Sequence, residues 1–167
     1  MNASTVRPLD GRSLFRLALC LALCASAAAL GGFITAPQIP GWYAALAKPA
    51  WTPPNAAFPV VWPALYALIA LALWRLLDRA PPSPARGAAL AALLANIALN
   101  ALWPPVFFGL HATGAALVVV LAMIATLTGA IVKAARADRL AAVLLISYLV
   151  WIIYAAALNA AIVVLNR

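Results

Sequence analysis

The sequence predicts an all-α integral membrane bundle of five transmembrane helices, and three observations carry that prediction. Hydrophobic residues make up 68% of the 167-residue chain and charged residues 8%, where a soluble domain carries about 25% charged residues. The apolar residues fall into five continuous runs, each long enough to cross a bilayer as a helix. They do not alternate in polarity, which excludes the strands of a membrane β-barrel. The basic residues, finally, sort to alternate connections. Arg7, Arg12, Arg16, Arg75, Arg79, Arg86, Lys133, Arg136 and Arg139 fall on one side of a five-span chain, and only Lys48 and Arg167 on the other. Four or six spans would spoil that asymmetry. The positive-inside rule places the N-terminus in the cytoplasm of a bacterium and the first connection on the opposite side.

The runs lie near Leu14–Thr35, Phe58–Leu77, Ala88–Phe108, Gly114–Ala134 and Leu140–Leu165. Residues 1–13 read as an N-terminal cytoplasmic extension and 14–167 as one membrane domain. Pro37 and Pro40 follow the first run, and Pro81, Pro82 and Pro84 part the second from the third. Pro104 and Pro105 strain the end of the third, and Gly109 and Gly114 bracket a short turn before the fourth. Asp138 and its basic neighbours part the fourth from the fifth. The stretch CASAAALGG resembles a signal-peptidase site, but the first run stays apolar through Phe33 and Ile34, beyond a signal core, and is expected to be retained.

The net charge of +8 is too thinly spread for nucleic acid, and its expected partner is the lipid headgroup layer. Asp10, Asp78 and Asp138 all lie in the basic flanks, and His111 sits in a short connection. Without a titratable group at membrane depth, ion-coupled transport and acid–base hydrolysis lack their parts. Cys20 and Cys24, with no histidine or carboxylate nearby, read as small apolar helix residues, and no metal site is expected.

Gly41 to Tyr66 holds three tryptophans, two tyrosines and five prolines, with Lys48 its one charge. Rings with a polar edge suit a membrane boundary or the mouth of a ligand site. The prolines stiffen a segment that should not be regular helix, so it reads as a rigid lid. Beneath it, Asn96, Asn100 and Trp103 share a helical face in the third run. Tyr148, Trp151, Ala155 and Asn159 form a stripe in the fifth, with Tyr154 near its edge, and Trp62 and Tyr66 share a face in the second. Each residue alone is more often glue between helices. Together they describe an interhelical pocket for a large, flat, mostly apolar ligand.

WYAALAKPAWTPP (Trp42–Pro54), VWPALY (Val61–Tyr66), LNALWPPVFFG (Leu99–Gly109) and SYLVWIIYAAALN (Ser147–Asn159) resemble, in order, the motifs of the translocator protein / tryptophan-rich sensory protein family (TspO/MBR, once called the peripheral-type benzodiazepine receptor). The resemblance runs from about Gly32 to Arg167. It implies a homodimeric five-helix bundle in membrane lipid, with the first loop folded over the pocket. It also implies binding of tetrapyrroles such as protoporphyrin IX and haem, for sensing, transport or regulation, and of isoquinoline-carboxamide or benzodiazepine drugs. Trp42, Tyr43, Trp51, Trp62, Asn96, Asn100, Trp103, Trp151 and Ala155 match the family's pocket positions; Tyr66 and Tyr148 join them from the helical faces. No cofactor is obligatory, the porphyrin or haem being the ligand. The alternative the resemblance offers is light- and oxygen-dependent porphyrin breakdown, in which Trp62 and Trp151 would be the reacting indoles. The mitochondrial cholesterol pattern is incomplete, since Ala160 stands where it has tyrosine.

Overall fold

The computed structural model describes residues 9–167; Arg7 and the rest of the expected extension before Leu9 lie outside the described residues. Among the described residues, five helices are long and apolar enough to cross a membrane, and no strand occurs. The core helices are α1 (Gly11–Thr35), α2 (Phe58–Trp74), α3 (Pro84–Pro104), α4 (Thr113–Ala137) and α5 (Arg139–Leu165). Packing of α1 on α2 and α3, of α4 on α3 and α5, and of α2 on α5 closes a ring in the order α1, α2, α5, α4, α3.

Proline shapes these helices differently from the sequence expectation. Helical structure continues past Pro37 and Pro40 through a 3-10 turn, Ala36–Gln38, and a wide π turn, Ile39–Tyr43. Pro37 and Pro40 have no N–H to give the carbonyls of Phe33 and Ala36, four residues back. Tightening and then widening the spiral keeps it helical without those bonds. The second half of the expected lid is also helical. A 3-10 turn, Asn55–Ala57, leads into α2, where Pro59 occupies the first turn and needs no donor. The irregular part is only residues 46–54. Pro104 and Pro105 lie inside the third helical span, which runs on as the wide turn Pro105–Gly109 and closes with Leu110 N–H on the Pro105 carbonyl at 2.9 Å. The second helix closes in the same way, through Arg75–Arg79 with Ala80 N–H on the Arg75 carbonyl at 2.9 Å. Gly31 lets α1 approach α3 at this kink: a Cβ there would sit 3.3 Å from Pro104 Cγ.

The two ends of the bundle are built from different chemistry. At the charged end, α1, α3 and α5 start on side-chain caps, with Asp10 accepting from Ser13 N–H (2.7 Å), Ser83 from Arg86 N–H (3.2 Å) and Asp138 from Ala141 N–H (2.9 Å). Asp78, only 8% exposed, accepts from Ser13 Oγ (2.8 Å) and Arg16 (2.9 Å), and Arg79 lies 3.2 Å away. Arg75 pairs with Asp138 at 2.9 Å, and Arg86 donates to the Leu76 and Leu77 carbonyls at 2.7 and 2.8 Å. Trp74 donates its indole N–H to the Ser13 carbonyl at 3.2 Å, under the Arg79 guanidinium. These bonds tie α1, α2, α3 and α5 to one another. The opposite end has no such ion pairs among the described residues and is held by aromatic rings, neutral hydrogen bonds and the single ammonium of Lys48.

Candidate functional site

Residues 46–54 are fixed at three points. Lys48 folds back over the end of the first helix, donating to the Tyr43, Ala44 and Leu46 carbonyls at 2.7, 3.2 and 2.8 Å, with its ammonium 4.8 Å from the centre of the Tyr43 ring. A helix end leaves such carbonyls without donors, and a lysine there also answers the helix dipole. The side chain of Asn166 then pairs with the backbone of Ala47 as a strand would: it accepts from Ala47 N–H at 3.0 Å and donates to the Ala47 carbonyl at 2.9 Å. Last, Tyr154 on α5 donates its hydroxyl to the Trp51 carbonyl at 2.8 Å and sets its ring 5.7 Å from the Trp51 indole. Neither Asn166 nor Tyr154 was among the expected site residues. Tyr154 was visible at the edge of the α5 stripe; Asn166 contacts a residue 119 positions away and left no local signal.

Beneath this loop the rings gather in two groups. The first lies between α2 and α5. Trp151 sits 6.1 Å from Phe58 and 5.7 Å from Tyr154, and Trp62 sits 5.8 Å from Tyr66. Trp62, Trp151, Tyr154 and Ala155 are half-buried, and Trp51 above them is 49% exposed. The second group is a packed block at the ends of α1 and α3. Trp103 stacks on Phe107 at 4.7 Å, Trp42 meets Phe107 edge-on at 5.4 Å, and Tyr43 lies 5.7 Å from Phe108. Trp42 also stacks flat on His111 at 4.1 Å. His111 was expected as a plain loop residue. It is exposed, but its left-handed backbone (φ 54°) makes the turn into α4, and its ring nitrogen pairs with Gln38 at 3.1 Å. Phe58 packs against this second block as well, and so joins the two.

The carboxamides divide by direction. Asn100 stands in the middle of the ring of helices. Its oxygen accepts from the Tyr66 hydroxyl at 2.8 Å and its nitrogen donates to the Tyr148 hydroxyl, so one amide links α2, α3 and α5. Asn96, expected on the same ligand face, turns to α4 instead. It donates to the Met123 carbonyl at 2.8 Å and to Thr126 Oγ1 at 3.1 Å. Trp103 donates to Asn159 at 3.3 Å, and Asn159 donates to the Thr113 carbonyl at 2.9 Å. Of the expected residues, the structure therefore brings Trp51, Trp62, Tyr66, Trp151 and Ala155 to the α2–α5 side, with Asn100 and Tyr148 directly behind. It places Trp42, Tyr43 and Trp103 in the neighbouring block, and Asn96 against α4.

The α2–α5 group can hold a flat apolar molecule by ring contact, and its open flank is the exposed Trp51. The one charge of the loop above it, Lys48, has its donors taken by three carbonyls. If the Tyr154 and Asn166 contacts hold the loop in place over these rings, Tyr154→Phe combined with Asn166→Ala will speed proteolytic cleavage within residues 46–54 by roughly tenfold. That figure corresponds to the loss of about 1–2 kcal/mol of hydrogen bonding. Cleavage no faster than in the wild type would show that these contacts do not restrain it.

The chain matches the model of the TspO/MBR family over residues 20–165. It is 34% identical to "Protein CrtK" of Rhodobacter capsulatus over 155 residues, covering 92% of this chain and 94% of that protein. It is 37% identical to the "Tryptophan-rich sensory protein" of Cereibacter sphaeroides over 139 residues (83% and 84%). It is also similar to the "Translocator protein" of Sus scrofa, at 35% identity over 142 residues (78% and 80%).

Proposed function

The chain belongs to the TspO/MBR family, and from that premise we propose that it is a membrane receptor or carrier for tetrapyrroles, taken up against the aromatic residues between α2 and α5 beneath the first loop. One observation carries the reading: Trp51, Phe58, Trp62, Tyr66, Trp151 and Tyr154, contributed by the loop and two helices, converge on one side of the bundle. Indole and phenol faces stack on a planar π system whatever its substituents, which suits a macrocycle better than a small polar solute. The Tyr66–Asn100–Tyr148 chain of hydrogen bonds behind them holds α2 and α5 at a fixed separation. In this proposal the charged end faces the cytoplasm and the loop faces away from it, as the positive-inside rule directs.

Titration of the purified protein with protoporphyrin IX, followed by tryptophan quenching, tests the proposal. The double variant Trp62→Ala, Trp151→Ala is expected to weaken binding by at least about 30-fold, the loss of some 1 kcal/mol of ring contact at each position. Unchanged affinity in a folded double variant would remove the α2–α5 side as the site.

A further inference from the structure

The junction of α4 and α5 reads KAARADR, Lys133 to Arg139, a basic run tempered by one carboxylate. The fold takes that carboxylate away. Asp138 is the single residue between the two helices, and its side chain turns inward, accepting from Ala141 N–H at 2.9 Å and pairing with Arg75 at 2.9 Å. The other acids of this end are spent too: Asp78 on Ser13, Arg16 and Arg79, and Asp10 on Ser13 N–H. Among the described residues, the side chains of Lys133, Arg136 and Arg139 are exposed and have neither a hydrogen bond nor an ion pair. Lys133 and Arg136 stand three apart on one helix and so repel each other until an anion joins them. Arg12 is exposed and unpaired as well, but it stands apart on α1, which packs on α2 and α3.

The surface next to these cations, toward the middle of the bundle, is apolar. Val132 lies one turn deeper than Arg136 on α4, and Val143 one turn deeper than Arg139 on α5. Val132 is 50% exposed, Val143 57% and Leu140 49%. A soluble anion or an acidic peptide would use the cations and leave this flank bare. A phospholipid uses both, with its phosphate at the level of the helix ends and its chains alongside the valines.

We propose that the α4–α5 hairpin binds one anionic phospholipid, its phosphate held by Lys133, Arg136 and Arg139 and its acyl chains lying on Val132, Leu140 and Val143. The site is at the opposite end of the bundle from the aromatic residues, and stands or falls independently of what they bind. It is also more specific than a general attraction of basic residues to the headgroup layer, because it assigns Arg136 a part that the equally exposed Arg12 lacks.

The test uses two lipids with the same chains, dioctanoyl phosphatidylglycerol and dioctanoyl phosphatidylcholine. Each is titrated calorimetrically into the protein in maltoside micelles, with protein-free micelles as the blank. At roughly fivefold for each Lys or Arg near an anionic headgroup, less screening, the wild type is expected to prefer phosphatidylglycerol by at least about tenfold. The triple variant Lys133→Gln, Arg136→Gln, Arg139→Gln should bring the ratio close to one. Arg136→Gln alone should lower it by about three- to fivefold, and Arg12→Gln should leave it within about twofold. In the wild type the preference should fall at least about threefold from about 0.05 M to about 0.5 M salt, a readout that does not depend on any variant folding. Equal affinity for the two lipids, a preference indifferent to salt or surviving the triple variant, or equal losses for Arg12→Gln and Arg136→Gln would overturn the site. Glycerol phosphate and a hexaglutamate peptide are titrated as further arms. If either binds the wild type as tightly as phosphatidylglycerol, the hairpin takes a soluble anion or an acidic protein segment, and the lipid assignment falls.

Discussion

Replacing Asn100 with leucine is expected to lower the stability of the bundle by about 2 kcal/mol, although the side chains are similar in size. The amide satisfies two buried hydroxyls, Tyr66 and Tyr148, from two other helices. Leucine leaves both without a partner, at roughly 1–3 kcal/mol each in a soluble core. Within a membrane the lower end applies, because the unfolded helices also find partners there. The comparison that isolates the network is the triple variant Asn100→Leu, Tyr66→Phe, Tyr148→Phe. It removes the hydroxyls along with the amide and should recover most of the loss, since an apolar replacement of all members leaves nothing unpaired. Unfolding of the purified protein in mixed micelles by increasing SDS gives the numbers. A single variant as stable as the wild type would mean that the two hydroxyls find other partners and that the network does not hold α2 and α5 in place.

The largest expected effect at the other end is at Asp78. Its alanine variant should lose about 3 kcal/mol. Breaking a well-buried ion pair costs about 3–5 kcal/mol, because the remaining partner is stranded. Here Arg16 is 47% exposed and can rehydrate, whereas Arg79 is only 13% exposed and Ser13 is buried. Arg16→Ala should accordingly cost under about 1 kcal/mol, the usual worth of an ion pair with an exposed member. Asp78→Asn should fall between, since an amide oxygen still accepts from Ser13 but carries no charge for the guanidinium groups. The same SDS titration ranks the three. Equal losses for Asp78→Ala and Arg16→Ala would contradict this division of labour.

The five spans were legible because hydropathy and the sorting of arginines are properties of the chain itself, and lipid imposes helix on any long apolar run. Pro37 and Pro40 were read too strictly as end marks: the chain stays helical past both, through a 3-10 turn and a wide turn. The gathering of Trp51, Trp62, Tyr66 and Trp151 followed from helical spacing together with the loop's composition. The direction of Asn96 did not. Asn96 and Trp103 differ by only about 20° around the helix axis, but they are about 10 Å apart along it. One meets Met123 and Thr126 on α4, the other Asn159 on α5. A face assigned from spacing does not say which neighbour stands at which depth. Nor could spacing find the Asn166–Ala47 pair, whose partners meet only because the whole bundle has assembled.

The contrast between the two ends has a mechanical consequence. Guanidinium groups bound to carboxylates and carbonyls rivet four helices at one mouth, while at the other the elements are buttoned by neutral bonds and the edges of rings. Such an object yields like a pair of tweezers. Under strain the tips are expected to part before the pivot does.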